Sequence, residues 1–193
     1  MVENILVIGL GNPGREYRET RHNVGFMLLD RLALKLKTRF TRLQSRALVA
    51  SATYAERKII LAKPQTFMNI SGQSVQGLVH FYKLPLNNLL IVHDDLDLPL
   101  GTIRIRPDGG SAGQKGMTSI LERLGTEDFP RLRLGIGRPP GQMQAPDYVL
   151  QEFSNSDLTI ISETLDRAVE AVLIFAVGGL DDAMNKYNGG IEK

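Results

Sequence analysis

The sequence has no cysteine. That excludes thiol catalysis, cysteine-based zinc sites and disulfides, and it fits a reducing cytoplasm. Nor is there an apolar run near the roughly 20 residues of a membrane span. The most apolar segment, Ala168 to Val177, is interrupted by Glu170. The opening Met1-Val2-Glu3-Asn4 lacks the basic start and long apolar core of a secretory leader, so a cytoplasmic protein is expected. Charge of one sign is also scarce. The net charge is +2, which is too weak to argue for nucleic acid by itself. What remains is a chain of 193 residues, long enough to bury roughly 70% of its unfolded surface as one domain without a metal or disulfide.

Strand and helix patterns interleave along it. Residues 4–11 read as a buried strand, and Thr20 to Leu36 as a helix with Val24, Met27, Leu28 and Leu32 at helical spacing. Arg46–Tyr54 and Lys58–Ala62 read as paired strands about a turn at Ala55-Glu56-Arg57. Lys63 to Asn69 is a loop, and Ser71 is the expected N-cap of a helix with Val75, Leu78, Val79 and Tyr82 on one face. Leu89–Val92 is a buried strand running into His93-Asp94-Asp95, and Thr102–Arg106 a half-exposed one. Gly109 to Gly116 is a glycine-rich loop opening a helix that ends at Leu124, before Gly125. Arg131–Ile136 is a strand, Asp157 to about Val177 a long helix, and Leu180–Tyr187 a short one. The expected fold is a single α/β domain: a mixed, twisted β-sheet covered by helices on both faces.

Gly9-Leu10-Gly11-Asn12-Pro13-Gly14 matches the G-x-G-x-x-G dinucleotide fingerprint. The context does not follow. In that motif the helix begins inside the glycines, so that its N–H groups hold a pyrophosphate, and a second strand ends in an acid about 20 residues on. Here helical spacing starts only near Thr20–Val24, and a hairpin comes next. An oxidoreductase using a nucleotide cofactor is disfavoured. The glycines then serve a strand-to-loop turn, which leaves the polar Asn12, His22 and Asn23 near one loop unexplained.

Gly109-Gly110-Ser111-Ala112-Gly113 matches the nucleophile elbow G-x-S-x-G. All three histidines (His22, His80 and His93) precede Ser111, against the usual order of such triads, and Pro107-Asp108 separates Ser111 from its strand. A loop of backbone N–H groups is the better reading. His93-Asp94-Asp95-Leu96-Asp97 sits where a buried strand ends, the place where open α/β sheets present their sites. Its carboxylates could bind a divalent cation, form turns in solvent, or orient a histidine base, for which His22 is the candidate. His80 lies off the apolar face of its helix and is read as a surface residue.

Together five blocks resemble the bacterial peptidyl-tRNA hydrolase family. They are Gly9 to Gly14 with Tyr17 and Thr20-Arg21-His22-Asn23; Lys63-Pro64 with Thr66-Phe67-Met68-Asn69; His93 to Pro99; Arg131 to Pro139; and the closing Gly179-Leu180 with Ala183-Met184-Asn185. The resemblance spans nearly the whole chain. It implies an esterase that frees tRNA from peptidyl-tRNA dropped by stalled ribosomes, acting as a monomer without metal, nucleotide cofactor or covalent intermediate. It implies His22 as the general base and Asp94 as its orienting acid. Asn12 and Asn69 would bind the ester region and the peptide main chain. Tyr17, Phe67 and Met68 would contact the terminal nucleotide or peptide, and Arg104 and Arg133 the tRNA phosphates. Many relatives have His-Asn where this chain has Gln114-Lys115. Lysine donates hydrogen bonds but accepts none, so Lys115 is expected to supply a cationic contact instead.

The residue types suit that chemistry. An aminoacyl ester is already activated, so water and one positioned base suffice. Carboxamides offer a donor and an acceptor to a peptide main chain while ignoring its side chains. Arg104 and Arg106 share a strand face, which Arg133, Lys115 and Arg138 could extend. The alternative reading is a non-catalytic RNA-binding relative of the same fold. Residues 138–148, with Pro139-Pro140-Gly141 and Pro146, are a candidate for a loop that closes the site.

Overall fold

Seven strands form one sheet: β1 (Asn4–Gly9), β2 (Arg42–Gln44), β3 (Ala47–Tyr54), β4 (Arg57–Pro64), β5 (Leu89–Asp95), β6 (Ile103–Arg106) and β7 (Arg131–Gly135). The computed structural model describes residues 4–188. Residues 1–3, within the stretch read as lacking a leader, and 189–193 lie outside them. The strand order is β2-β3-β4-β1-β5-β7-β6. Its centre, β4-β1-β5-β7, is parallel, while β2–β3, β3–β4 and β6–β7 pair antiparallel.

The central strands are apolar without alternation because both faces are covered. Ile5, Val7, Ile59, Leu61, Leu90 and Val92 pack in one layer with α1 (Val24–Lys35) and α5 (Asn155–Gly178). Leu6, Ile8, Ile60, Ala62, Leu89 and Ile91 pack in the other with α2 (Ser71–Tyr82) and α3 (Lys115–Leu124). Within the apolar segment Ala168 to Val177 of α5, Ala168, Val169, Ala171, Val172, Leu173, Phe175 and Ala176 are buried while Glu170 and Val177 are exposed, and no described helix is long and apolar enough to cross a membrane. Gly125 ends α3 in the left-handed conformation, as expected, and α6 (Leu180–Tyr187) has the expected bounds.

The structure differs from the sequence reading in several places. β4 spans Arg57–Pro64, so Arg57 is not turn and Lys63-Pro64 is not loop, because Tyr54, Leu48 and Ala47 of β3 pair opposite them. β1 ends at Gly9. β5 continues to Asp95, so His93, Asp94 and Asp95 are buried strand residues and not loop. The helix α1 begins at Val24, after a separate 3-10 turn Arg21–Asn23. Ser71 is not an N-cap. Ile70 holds that position, and the Ser71 hydroxyl instead donates to the Met68 carbonyl at 2.9 Å, closing the 3-10 turn Met68–Ile70. Finally, β2 and the short helix α4 (Ala145–Val149) lacked a signal, being an edge strand of three residues and a helix of five.

Gly9, the first of the opening glycines, is explained by packing. A Cβ on Gly9 would stand 2.3 Å from the Gly25 carbonyl oxygen. One on Gly25 would stand 2.6 Å from the Leu10 oxygen and 2.7 Å from that of Val92. The start of α1 therefore rests directly on the end of β1 and the middle of β5. Replacing Gly25 with alanine must push backbone from backbone, and is expected to cost about 2–3 kcal/mol of stability, read from urea unfolding.

Candidate active site

Strand β1 sends its chain to the β4 side of the sheet, and β5 sends its chain to the β7 side. The cleft beyond the ends of two such diverging parallel strands is where open α/β sheets place ligands. Here it is a cavity of about 360 Å³, lined by Asn12 after β1, Met68 and Asn69 after β4, and Asp94 at the end of β5. His22 enters from the turn before α1. Gln114 and Lys115 enter from the start of α3, and Pro146, Val149 and Leu150 close an apolar wall from α4.

The polar groups are wired together. His22 is buried, and its Nδ1 lies 2.8 Å from Asp94 Oδ2. A buried carboxylate accepts, so Nδ1 carries the proton and Nε2 is left with its lone pair. Among the described residues Nε2 has no hydrogen-bond partner. The Asn12 side chain accepts from the Met68 N–H through Oδ1 at 2.8 Å, which leaves its Nδ2 donors unengaged at the cavity. The Asn12 backbone is in turn gripped by Asn23: the Asn12 N–H donates to Asn23 Oδ1 at 2.8 Å, and Asn23 Nδ2 donates to the Asn12 carbonyl at 2.9 Å. One buried carboxamide thus holds the loop that the glycines begin.

His93 is the other histidine on β5. Burial pushes it below the ordinary imidazole value, against the raising effect of its bond to the Asp94 carbonyl. It donates from Nδ1 to that carbonyl at 2.7 Å and is not part of the cavity lining. The acidic run does not gather as a cation site. Asp94 serves His22, Asp95 accepts from Arg133 Nε at 2.6 Å, and Asp97 pairs with Arg138. Among the described residues no group of three acidic or histidine side chains could hold a metal ion.

A family model described as peptidyl-tRNA hydrolase matches residues 6–193. The chain belongs to the peptidyl-tRNA hydrolase family. It is 48% identical to the peptidyl-tRNA hydrolase of Thermoanaerobacter sp. strain X514 over 95% of this chain and 99% of that one. It is 48% identical to the enzyme of Desulforamulus reducens, covering 95% of this chain and 88% of the relative. The crystal structure of peptidyl-tRNA hydrolase from Acinetobacter baumannii superposes with a TM-score of 0.91 at 33% identity, covering 98% of this chain and 96% of that one.

In this peptidyl-tRNA hydrolase family member, the cavity brings together Asn12, His22, Phe67, Met68, Asn69, Asp94 and Lys115 from the sequence expectation. Tyr17 is not among its lining residues. It sits half-buried on the 3-10 turn Arg15–Tyr17, and its carbonyl accepts from the Thr20 hydroxyl at 2.8 Å. Arg104 and Arg133 also lie outside the cavity, directly opposite each other on β6 and β7. Ser111 does not line the cavity; its hydroxyl accepts from the Gly113 N–H. His80 is exposed, as expected.

Three side chains that the sequence names without giving them a role support the site: Arg21, Asn23 and Gln114. Asn23 and Gln114 are buried amides: Asn23 grips the Asn12 backbone, and Gln114 reaches from the start of α3 to Asp94 on β5. Arg21 is buried, with its guanidinium 4.5 Å from the Tyr148 ring centre and 4.8 Å from that of Phe153, and it bonds Asp157 at 2.8 Å. That bond is the main cause holding the Asp157 carboxyl below its ordinary range. Of residues 138–148, expected as a closing loop, 145–148 therefore form most of α4, whose Tyr148 ring packs on Arg21, the residue before His22.

Proposed function

We propose that this chain hydrolyses the ester between peptide and tRNA in peptidyl-tRNA, with His22 as the general base. The observation that carries the reading is the bare His22 Nε2, oriented through Nδ1 by the buried Asp94 and lining the same cavity as the Asn12 amide. A water between Nε2 and the ester carbonyl loses its proton to the imidazole as its oxygen attacks the carbonyl carbon. The Asn12 Nδ2 donates to the oxyanion that develops. Collapse breaks the bond to the terminal ribose oxygen, which takes the proton back from the imidazolium. The products are free tRNA and a peptide acid, whose remaining proton passes to solvent to leave the carboxylate. A positioned base contributes typically ~10²–10⁴-fold, and an oxyanion donor about 3 kcal/mol. Asn69 and Lys115, exposed at the rim, are placed to meet the peptide main chain and a phosphate or carbonyl.

The strand pair beyond the cavity suits a nucleic acid backbone. Arg104 and Arg133 are register partners, and like charges directly opposite repel unless an anion bridges them. Arg104 Nε is buried and unpartnered among the described residues, whereas Arg133 keeps Asp95. If Arg104 meets a phosphate, Arg104→Ala should weaken tRNA binding and flatten the log–log salt dependence by about 0.9, measured by filter binding at several salt concentrations. The same reading makes the protein a cytoplasmic monomer that uses no nucleotide cofactor, with residues 1–193 acting as one domain.

Incubation with an N-blocked aminoacyl-tRNA tests the proposal: the blocked amino acid should be released catalytically. Binding of tRNA without release would favour a non-catalytic RNA-binding relative and end the hydrolase reading.

A further inference from the structure

Asp94 has two carboxylate oxygens, and His22 uses one. The other, Oδ1, accepts from Gln114 Nε2 at 3.0 Å. Both residues are buried, so neither oxygen is left to water. The amide orientation of Gln114 is decided by its far side. Its Oε1 accepts from the Met117 backbone N–H at 2.7 Å, as the N-cap of α3, and a backbone N–H can only donate. Nε2 must then face Asp94, and its position is set further by Met68 Sδ at 3.3 Å.

We propose that Gln114 is a positioning residue for the hydrolysis: it holds the second oxygen of Asp94 and so fixes the carboxylate against His22. One side chain thereby ties the start of α3 to the end of β5 and, through Asp94, to the base. An amide provides this donor at every working pH, since it has no proton to lose. The inference rests on the reading of His22 as the base.

The test uses three variants of the full chain. Gln114→Met fills the space without a donor. Gln114→Ser keeps a capping oxygen for Met117 but stops short of Asp94, which separates loss of the cap from loss of the donor. Gln114→His restores both an N–H donor and an acceptor. Kinetics on N-blocked aminoacyl-tRNA across pH give the readouts. An N–H on Oδ1 favours the ionised carboxylate. Without it the His22–Asp94 pair binds a proton more readily, and the active form is unprotonated. The acid limb of the rate profile therefore moves to higher pH. The other ionisable groups lining the cavity are Asp95, bonded to Arg133, and Lys115, and these variants change neither. His93 lies next to Asp94 on β5 and is likewise unchanged.

The expected result for the Met and Ser variants is a fall in kcat of about tenfold, KM within about threefold, and an acid limb raised by about half a pH unit or more. The His variant should recover most of kcat. An unchanged kcat and acid limb in both would overturn the proposal, as would a raised KM at constant kcat. A lower kcat with an unmoved limb would mark a folding role and also overturn it. His22→Asn, measured in parallel, keeps the two readings apart. If that variant is inactive while the Gln114 variants behave as wild type, only the Gln114 inference fails. If it retains wild-type activity, the base assignment itself fails.

Discussion

Replacing His22 with asparagine should lower kcat on N-blocked aminoacyl-tRNA by about 10²–10⁴-fold, with KM changing far less. Asparagine is the sharper substitution than alanine. Its Nδ2 falls near the place of the imidazole Nδ1 and can still donate to Asp94, which sits 2.8 Å from the histidine. The buried carboxylate then keeps both donors, and stability is conserved better than in His22→Ala, which strands one of its oxygens. What asparagine lacks is anything at the position of Nε2. Equal losses in the two variants, with the alanine form melting lower, would assign the activity to Nε2 rather than to the integrity of the site. Retention of more than about a tenth of kcat in His22→Asn would remove histidine as the base. Residual activity is expected from the Asn12 donor and from binding alone, because positioning and oxyanion stabilisation do not need the base.

The base was legible in the sequence only as a candidate, and the reason is distance along the chain. His22 and Asp94 are 72 residues apart and Gln114 lies 20 beyond Asp94, so no local pattern joins them. The strands could be read because burial on both faces writes itself into consecutive residues, as in Ile5 to Ile8 and Leu89 to Val92. The glycine motif could be read negatively. The late start of α1 argued against a pyrophosphate site, and the contact of Gly9 with Gly25 gives the glycine its packing role. The end of β5 was misplaced because His93-Asp94-Asp95 is a polar triplet, and polarity signals a loop. Here each side chain is paired: with a backbone carbonyl, with His22 and Gln114, and with Arg133. Paired polar groups can extend a buried strand that composition alone would end. Tyr17 belongs to the same sequence block as His22, but the turn that contains it leaves it outside the cavity lining.

Asp94→Asn should be comparably severe, and the hydrogen bonds say why. Both neighbours of Asp94 present N–H groups: His22 Nδ1 at 2.8 Å and Gln114 Nε2 at 3.0 Å. A carboxylate accepts from both. A carboxamide has one oxygen and one NH₂ group, so it can accept from only one of them in this way. With its oxygen toward His22, its NH₂ meets the NH₂ of Gln114, which cannot turn without breaking the Met117 cap. With its NH₂ toward His22, the imidazole must accept at Nδ1 and carry its proton on Nε2, where no base remains. The first arrangement strains the site and the second inverts the tautomer. The orienting acid of a histidine base is lost in either case, and the expected fall in kcat is about 10²–10⁴-fold. Raising the pH should not recover it, because the second arrangement is already neutral. His22→Asn combined with Asp94→Asn should be scarcely slower than His22→Asn alone, since the acid acts through the histidine. Fully multiplicative losses in the double variant would instead give Asp94 a role of its own on the substrate.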